Sequence, residues 1–394
     1  MGFSQALSGL NAAATNLDVI GNNIANSQTV GFKGGRTLFA DVYAGAQAGL
    51  GTKVAAVLQN FNSGTLENTG RNLDIAISGG GFFRLIQNDQ VVYSRNGQLT
   101  LDSSGYLVNA QGARLTGFPA GAVGGGDPEE IQIPSGGLEA TATTQVSSTF
   151  NLDSATTAID RGTVAFDPAD DSTYSYTNNV TIYDSQGNAH ASTLYFTKTA
   201  DNTWEVRFSR AGELAPEVGT LNFDTSGLLS STTGLDSFTF SPGGGVADLD
   251  IMLSFDGSTQ FGNDFELTAV NQDGYASGSL VGIIIDDEGN IVGKYSNEQS
   301  QVIATILVAN FTNPEGLQPK GDNAWIETTA SGQPLLGTPG NGMFGTVASG
   351  VVENSNVDLT RELVNLIIAQ RNYQANAQTI KVQDEVLQSA VNLR

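Results

Sequence analysis

Residues 3–24 read FSQALSGLNAAATNLDVIGNNI, and this stretch decides the architecture. Apolar residues fall at Phe3, Leu7, Leu10, Ala14, Leu17 and Ile24, in steps of four and three, with Gly21 in the one weak slot. That spacing is a heptad stripe along one side of a helix. The far end of the chain repeats it. Leu359, Leu363, Leu366, Tyr373, Ala377, Ile380, Leu387 and Val391 follow the same steps, with Gln370 and Asp384 as polar breaks. Asp358 or Thr360 suits the N-cap of this second helix, and Glu362 suits its first turn. One narrow stripe is too little apolar surface to order so long a helix in water. The expectation is that the two ends pair as a coiled coil and become fully ordered only against copies of the same chain.

The charge pattern agrees. The chain has 394 residues, with 40 acids against 17 bases and a formal net charge of −23. Residues 1–45 carry Asp18, Lys33, Arg36 and Asp41, and residues 357–394 carry four acids and four bases, so both ends are neutral. The whole excess lies between them. Neutral ends can pack densely against their own copies, where like charge would repel. The acidic interior repels phosphate, so nucleic acid and anionic lipid are excluded as partners.

After the first helix, Gly21–Asn22–Asn23–Ile24–Ala25–Asn26 leads to Thr29, Gly31, Phe32 and Lys33. Asparagine and glycine clusters of this kind end helices. A phenylalanine in the loop that follows implies an anchor. Between about residues 70 and 355 no helix-period stripe lasts more than a turn or two. Strand-like runs appear instead, such as Phe82–Gln87, Val180–Tyr183, Thr203–Phe208 and Val302–Phe311, divided by turns such as Asn96–Gly97, Asp184–Gly187 and Asp287–Gly289. The reading is antiparallel sandwiches or barrels. Gly121–Gly126 with Asp127–Pro128 reads as a linker. The expected fold is multidomain: an α-helical coiled-coil terminal domain formed by both chain ends, plus two nested, mainly antiparallel all-β domains. The expected segments are 1–30, a linking stretch 31–70, an intermediate β domain in two parts (71–144 and 279–356), an outer insertion 145–278, and the closing helix 357–394.

The sequence carries no recognisable catalytic or metal-binding pattern. With no cysteine there is no disulfide, thiolate metal site or cysteine nucleophile. A single histidine, His190, makes no two-histidine metal site and reads as structural. Gly79–Gly81 and Gly243–Gly245 lack the strand, helix and Lys-Ser/Thr context of a phosphate cradle. Asp170–Asp171 and Asp286–Glu288 lack the alternating ligands of a calcium loop. The expectation is no enzyme, no cofactor, no metal and no small-molecule substrate. The N-terminus lacks the basic region of a cleaved secretory signal, and its Gly2 misses the myristoylation pattern because Ala6 stands where Ser or Thr is needed.

Several short stretches, in order along the whole chain, resemble the flagellar rod and hook axial protein family. At the N-terminal end these are Ser8–Ala12, Leu17–Asp18, Gly21–Asn26 and Thr29–Lys33. In the middle they are Gly70–Ile77, Gly81–Phe83, Tyr93–Gly97 and Phe311–Leu317. At the C-terminal end they are Ser355–Leu359, Ala369–Tyr373 and Ala375–Asn376. The extra segment at 145–278, with Val180–His190, resembles the hook branch rather than the shorter rod members. The resemblance implies a structural subunit exported through the flagellar export apparatus without a cleaved signal and placed outside the cell. It would be a helical homopolymer forming a curved tube that joins rod to filament, contacting a cap, the rod and a junction protein at its ends. It places Leu7, Leu10, Leu17, Ile24, Leu363, Leu366, Tyr373, Ile380 and Leu387 in the inner-helix interface. Asn22, Asn23, Asn26, Thr29, Gly31, Phe32 and Lys33, with Gln370 and Arg371, form the joint between helices and β domains. The competing readings are a distal-rod member of the same family and a non-flagellar, extracellular β-rich adhesin or hydrolase.

Overall fold

The computed structural model describes residues 2–42, 51–122 and 126–392. The middle of the glycine run expected as a linker, 123–125, lies outside the described residues, as does the side chain of Val391. The fold is mainly β, with several largely antiparallel sheets and one long helix near each end: α1 (Gly2–Ala25) and α2 (Leu359–Asn392). Backbone contacts divide the chain into two compact units. One takes the chain up to Ser135, Gly282–Lys294 and everything from Ser300 on. The other takes Gly136–Val281 with Tyr295–Gln299.

In the first unit, α1 is followed by a hairpin of β1 (Gly35–Asp41) and β2 (Thr52–Gln59), with a bulge between Leu38 and Phe39. The stretch expected as a plain linker is therefore a two-stranded ribbon. A ribbon of two strands is marginal alone, and this one leans on α1. β3 (Leu66–Asn68) pairs with Val351–Glu353, and β4 (Ile75–Ser78) with Thr346–Ser349, so segments from both halves of the chain close together. The large sheet runs Ser300–Ile306, Arg114–Pro119, β5 (Phe82–Gln87), β6 (Gln90–Ser94), Ala324–Ile326 and Gln318–Gly321, antiparallel throughout. Between β5 and β6 the turn is Asn88–Asp89, at φ 51° and 61°. Asn and Asp tolerate the left-handed region, so no glycine marks this hairpin. Phe82, Tyr93, Phe311 and Trp325 form an edge-to-face aromatic cluster. Phe61, from the chain leaving the hairpin, stacks edge-on against Phe82 and Trp325.

The second unit is a sandwich. Gln145–Asp153 heads one sheet, and Tyr176–Tyr183, Ala189–Ala200, Thr203–Arg210 and Gly219–Phe223 build the other. Alternate residues of the two sheets share one core, including Phe150, Phe196, Trp204, Phe208, Phe238 and Phe255. Gln145–Asp153 also makes two short parallel pairings, with residues 249–254 and 259–261. These two pairings are the parallel minority of a mainly antiparallel unit, and turn signals, which reveal only neighbours in sequence, do not locate them. His190 is structural: its Nε2 lies 2.9 Å from Asp184 Oδ2. Burial of Asp184 would raise its pKa. Hydrogen bonds from His190, the Asn188 side chain and the N–H groups of Asn188 and Gln186 outweigh burial and hold the carboxyl well below its usual range. No helix among the described residues is long and apolar enough to cross a membrane.

Candidate functional site

Four separate stretches of chain meet where α1 ends. Asn26 Nδ2 donates to the carbonyl and side-chain oxygens of Asn22 at 3.0 and 2.8 Å, and Thr29 Oγ1 donates to Asn26 Oδ1 at 3.2 Å. The chain then reverses through Gly31, at φ 72°. A Cβ here would sit 2.6 Å from the backbone nitrogen of Asn96, so glycine alone permits the approach. Phe32, the expected anchor, is buried. Asn23 is buried too. Its Oδ1 accepts from Gly35 N at 2.9 Å, and its Nδ2 donates to Gly35 O at 2.8 Å and to Glu362 Oε2 on α2 at 3.4 Å.

At the centre is one carboxylate, Glu353. Its Oε1 accepts from Lys33 Nζ at 2.6 Å and from Gly64 N at 2.7 Å, and its Oε2 accepts from Arg95 Nη1 at 3.3 Å. The side chains of Lys33 and Glu353 are both fully buried. Lys33 also donates to Asn62 O at 2.9 Å, and Arg95 Nη2 to Gly79 O at 2.8 Å. Asn356 closes the rim: its Oδ1 accepts from Gly34 N, and its Nδ2 donates to the carbonyls of Asn60 and Asn62. Burial pushes the Lys33 ammonium below the usual lysine pKa and Arg95 adds to this, while the hydrogen bond and charge of Glu353 oppose it. Burial likewise lowers Arg95 against the pull of Glu353. Two buried cations thus depend on one acid. The contacts of Glu353, Lys33, Arg95 and Asn356 tie separate segments together, and no group of three or more potential metal ligands occurs among the described residues.

The structure brings Lys33 and Gly31 to Glu353, buries Asn23 and Phe32 nearby in sequence, and leaves Asn22, Asn26 and Thr29 bonded to one another at the end of α1. It does not bring Gln370 and Arg371 to this node. Both are exposed on α2, roughly 16–18 Å along the helix from its start. The buried side of α2 is centred on Ala369, and Gln370 and Arg371 lie off it. Glu353, Arg95 and Asn356 are joint residues that the sequence pattern does not mark as such. Arg95 and Asn356 lie inside family-like stretches, and Glu353 is an acid at the end of a Val–Val run. Partners more than 250 residues away leave no local pattern.

The apolar stripes are not the faces that the two helices share. α1 and α2 run antiparallel, with Gly9 against Asn376 and Asn23 against Glu362. The shared seam takes Gly9, Ala13, Asn16, Ile20 and Asn23 from one helix and Glu362, Asn365, Ala369, Asn372 and Asn376 from the other. It keeps heptad steps, but small residues let the backbones approach, and amides fill the rest. Leu7, Leu363, Tyr373 and Leu387 are exposed, while Leu10, Leu17, Ile24, Leu366 and Ile380 are half-buried. Val364, Ile367, Ile368, Val382 and Val386 are exposed as well.

Comparison with known proteins returns matches along most of the chain. Residues 4–33 match the family model described as flagella basal body rod protein, 76–152 the flagellar hook protein FlgE/F/G D1 domain, 151–275 the flagellar basal body protein FlaE D2 domain, and 348–393 the flagellar basal body rod FlgEFG protein C-terminal region. The flagellar hook protein FlgE of Salmonella typhimurium is 50% identical over 406 residues, covering all of both chains. That of Borreliella burgdorferi is 35% identical, covering 98% of each. The fold is similar to that of the Helicobacter pylori flagellar hook protein FlgE2, with a TM-score of 0.56 at 15% identity, covering 73% of this chain and all of that one.

Proposed function

The chain belongs to the flagellar hook protein family, and from that premise we propose that its copies assemble head to tail through the outer faces of α1 and α2. It is a structural subunit of the hook. In this reading the helices pair as an inner coiled coil, and their apolar stripes meet sister copies. A contact between two different faces does not close on itself, so it repeats into a helical tube. The observation that carries the reading is the division of labour on the helices. Apart from Ile20 and Glu362, the seam within one chain uses glycine, alanine and amides, and most of the large apolar side chains are left outside it. Each such side chain contributes roughly 1.5–3 kcal/mol once a neighbour covers it.

The node around Glu353 sets the exit angle of the helices, so the tube, acting as a universal joint between rod and filament, bends between copies rather than at this point. Contacts between the acidic β units of neighbours are polar and wet, which suits sliding. The partners are other copies of the chain, the rod, cap and junction proteins at the tube ends, and the flagellar export apparatus. The protein acts outside the cell. Electron microscopy of the purified chain at high concentration tests the reading: curved tubes are expected. Removing residues 359–394 should leave the β units folded by circular dichroism and abolish tubes. Tubes formed by the shortened chain would overturn it.

A further inference from the structure

The sequence contains two Asn–Gly steps, Asn96–Gly97 and Asn341–Gly342, and the structure treats them oppositely. An Asn–Gly step is open to attack on the side-chain amide by the following backbone nitrogen, because glycine offers no Cβ to block it. At Asn96 the attack is prevented. Asn96 N donates to Ser94 Oγ at 3.1 Å, and its Oδ1 is held by Gln98 N at 3.0 Å. Gly97 is pressed against Ile75, whose N–H donates to Gly97 O at 2.9 Å. Neither the side chain nor the peptide can turn.

Asn341 has none of this enclosure. Residues 340–343 are exposed, and Gly342 sits at φ 63° with nothing within 4 Å of the position a Cβ would take. The Asn341 side chain makes one hydrogen bond, Nδ2 to Thr338 Oγ1 at 2.7 Å, which leaves its Oδ1 and Cγ uncovered. The turn that carries it is closed by Phe344 N donating to Asn341 O at 3.1 Å, so what leaves this step open is its exposure and the missing Cβ of Gly342.

We propose that Asn341 is a site of spontaneous deamidation and isoaspartate formation. The Gly342 nitrogen bonds to Asn341 Cγ, the Cγ–Nδ2 bond breaks, and Nδ2 leaves as ammonia with the proton that Gly342 gives up. Water then opens the succinimide at either carbonyl, giving aspartate or isoaspartate and returning a proton to the Gly342 nitrogen. The product matters locally because Asn341 lines a cleft of about 370 Å³ together with Glu288 and Pro339. Pro339 packs so closely over Gly289 that a Cβ there would lie 2.6 Å from it. A new carboxylate facing Glu288 pushes this loop outward. A subunit that is built once and kept gathers this charge with age.

The test incubates the full-length chain in mildly alkaline buffer and follows both sites by peptide mass spectrometry and isoaspartyl methyltransferase labelling. The peptide holding Asn341 should gain about 1 Da and accept the methyl label, with the Asn96 peptide unchanged. Asn341→Gln should remove the label. In denaturant both sites should convert. Equal conversion of the two sites in the native chain, or an intact Asn341 over a period in which the free 338–344 peptide converts, would overturn the proposal.

Discussion

Glu353 answers for two cations, Lys33 and Arg95, and for the N–H of Gly64. A buried pair adds little over an apolar replacement, but breaking one by removing a single partner costs about 3–5 kcal/mol. Glu353→Ala is therefore expected to lower unfolding stability by about that amount, read as a fall in the urea midpoint of the first unit. Glu353→Gln keeps the volume and should cost nearly as much, since both cations stay uncompensated. A change below ~1 kcal/mol in both variants would show that the node is not held by charge. Lys33 was legible as part of a family-like stretch and Phe32 as an anchor. The acid that Lys33 needs was not, because burial and pairing across the fold are invisible in local spacing.

At the scale of elements, α2 starts at Asp358, whose Oδ1 accepts from Thr360 N at 2.9 Å and Arg361 N at 3.1 Å. Of the two candidate caps read from sequence, the aspartate makes the bonds. Asp358→Ala should destabilise the first turn by about 1 kcal/mol, and Asp358→Asn by only a few tenths. Hydrogen exchange over residues 359–363 measures this, with faster exchange expected in the alanine variant alone. The existence, length and heptad spacing of both helices were legible. The face they share was not. Hydrophobic periodicity points to the large apolar residues, whereas the closest approach of two backbones selects Gly9, Ala13 and Ala369, which weigh little in any apolar pattern. The β1–β2 ribbon was missed for a related reason. Its strands are half-exposed, and their apolar alternation in LFAD and KVAAVL is weak.

For the molecule as a whole, a net charge of −23 opposes the approach of copies. Raising salt shortens the screening length to about 8 Å at physiological ionic strength. Assembly of the purified chain, followed by light scattering, should therefore be faster at ~0.15 M salt than at ~0.01 M. A rate independent of salt would place the acidic surfaces away from neighbouring copies. The all-β middle was legible because glycine, asparagine and aspartate punctuate it, and the parallel pairings of Gln145–Asp153 were not, because strands distant in sequence supply them. The same distance governs the node at the end of α1. Lys33, Gly64 and Arg95 lie 320, 289 and 258 residues before the acid that receives them. A ribosome adds 320 residues after Lys33 before that acid exists. Until then the helix exit stays unfastened, so the nascent chain carries an unpaired cation through most of its synthesis.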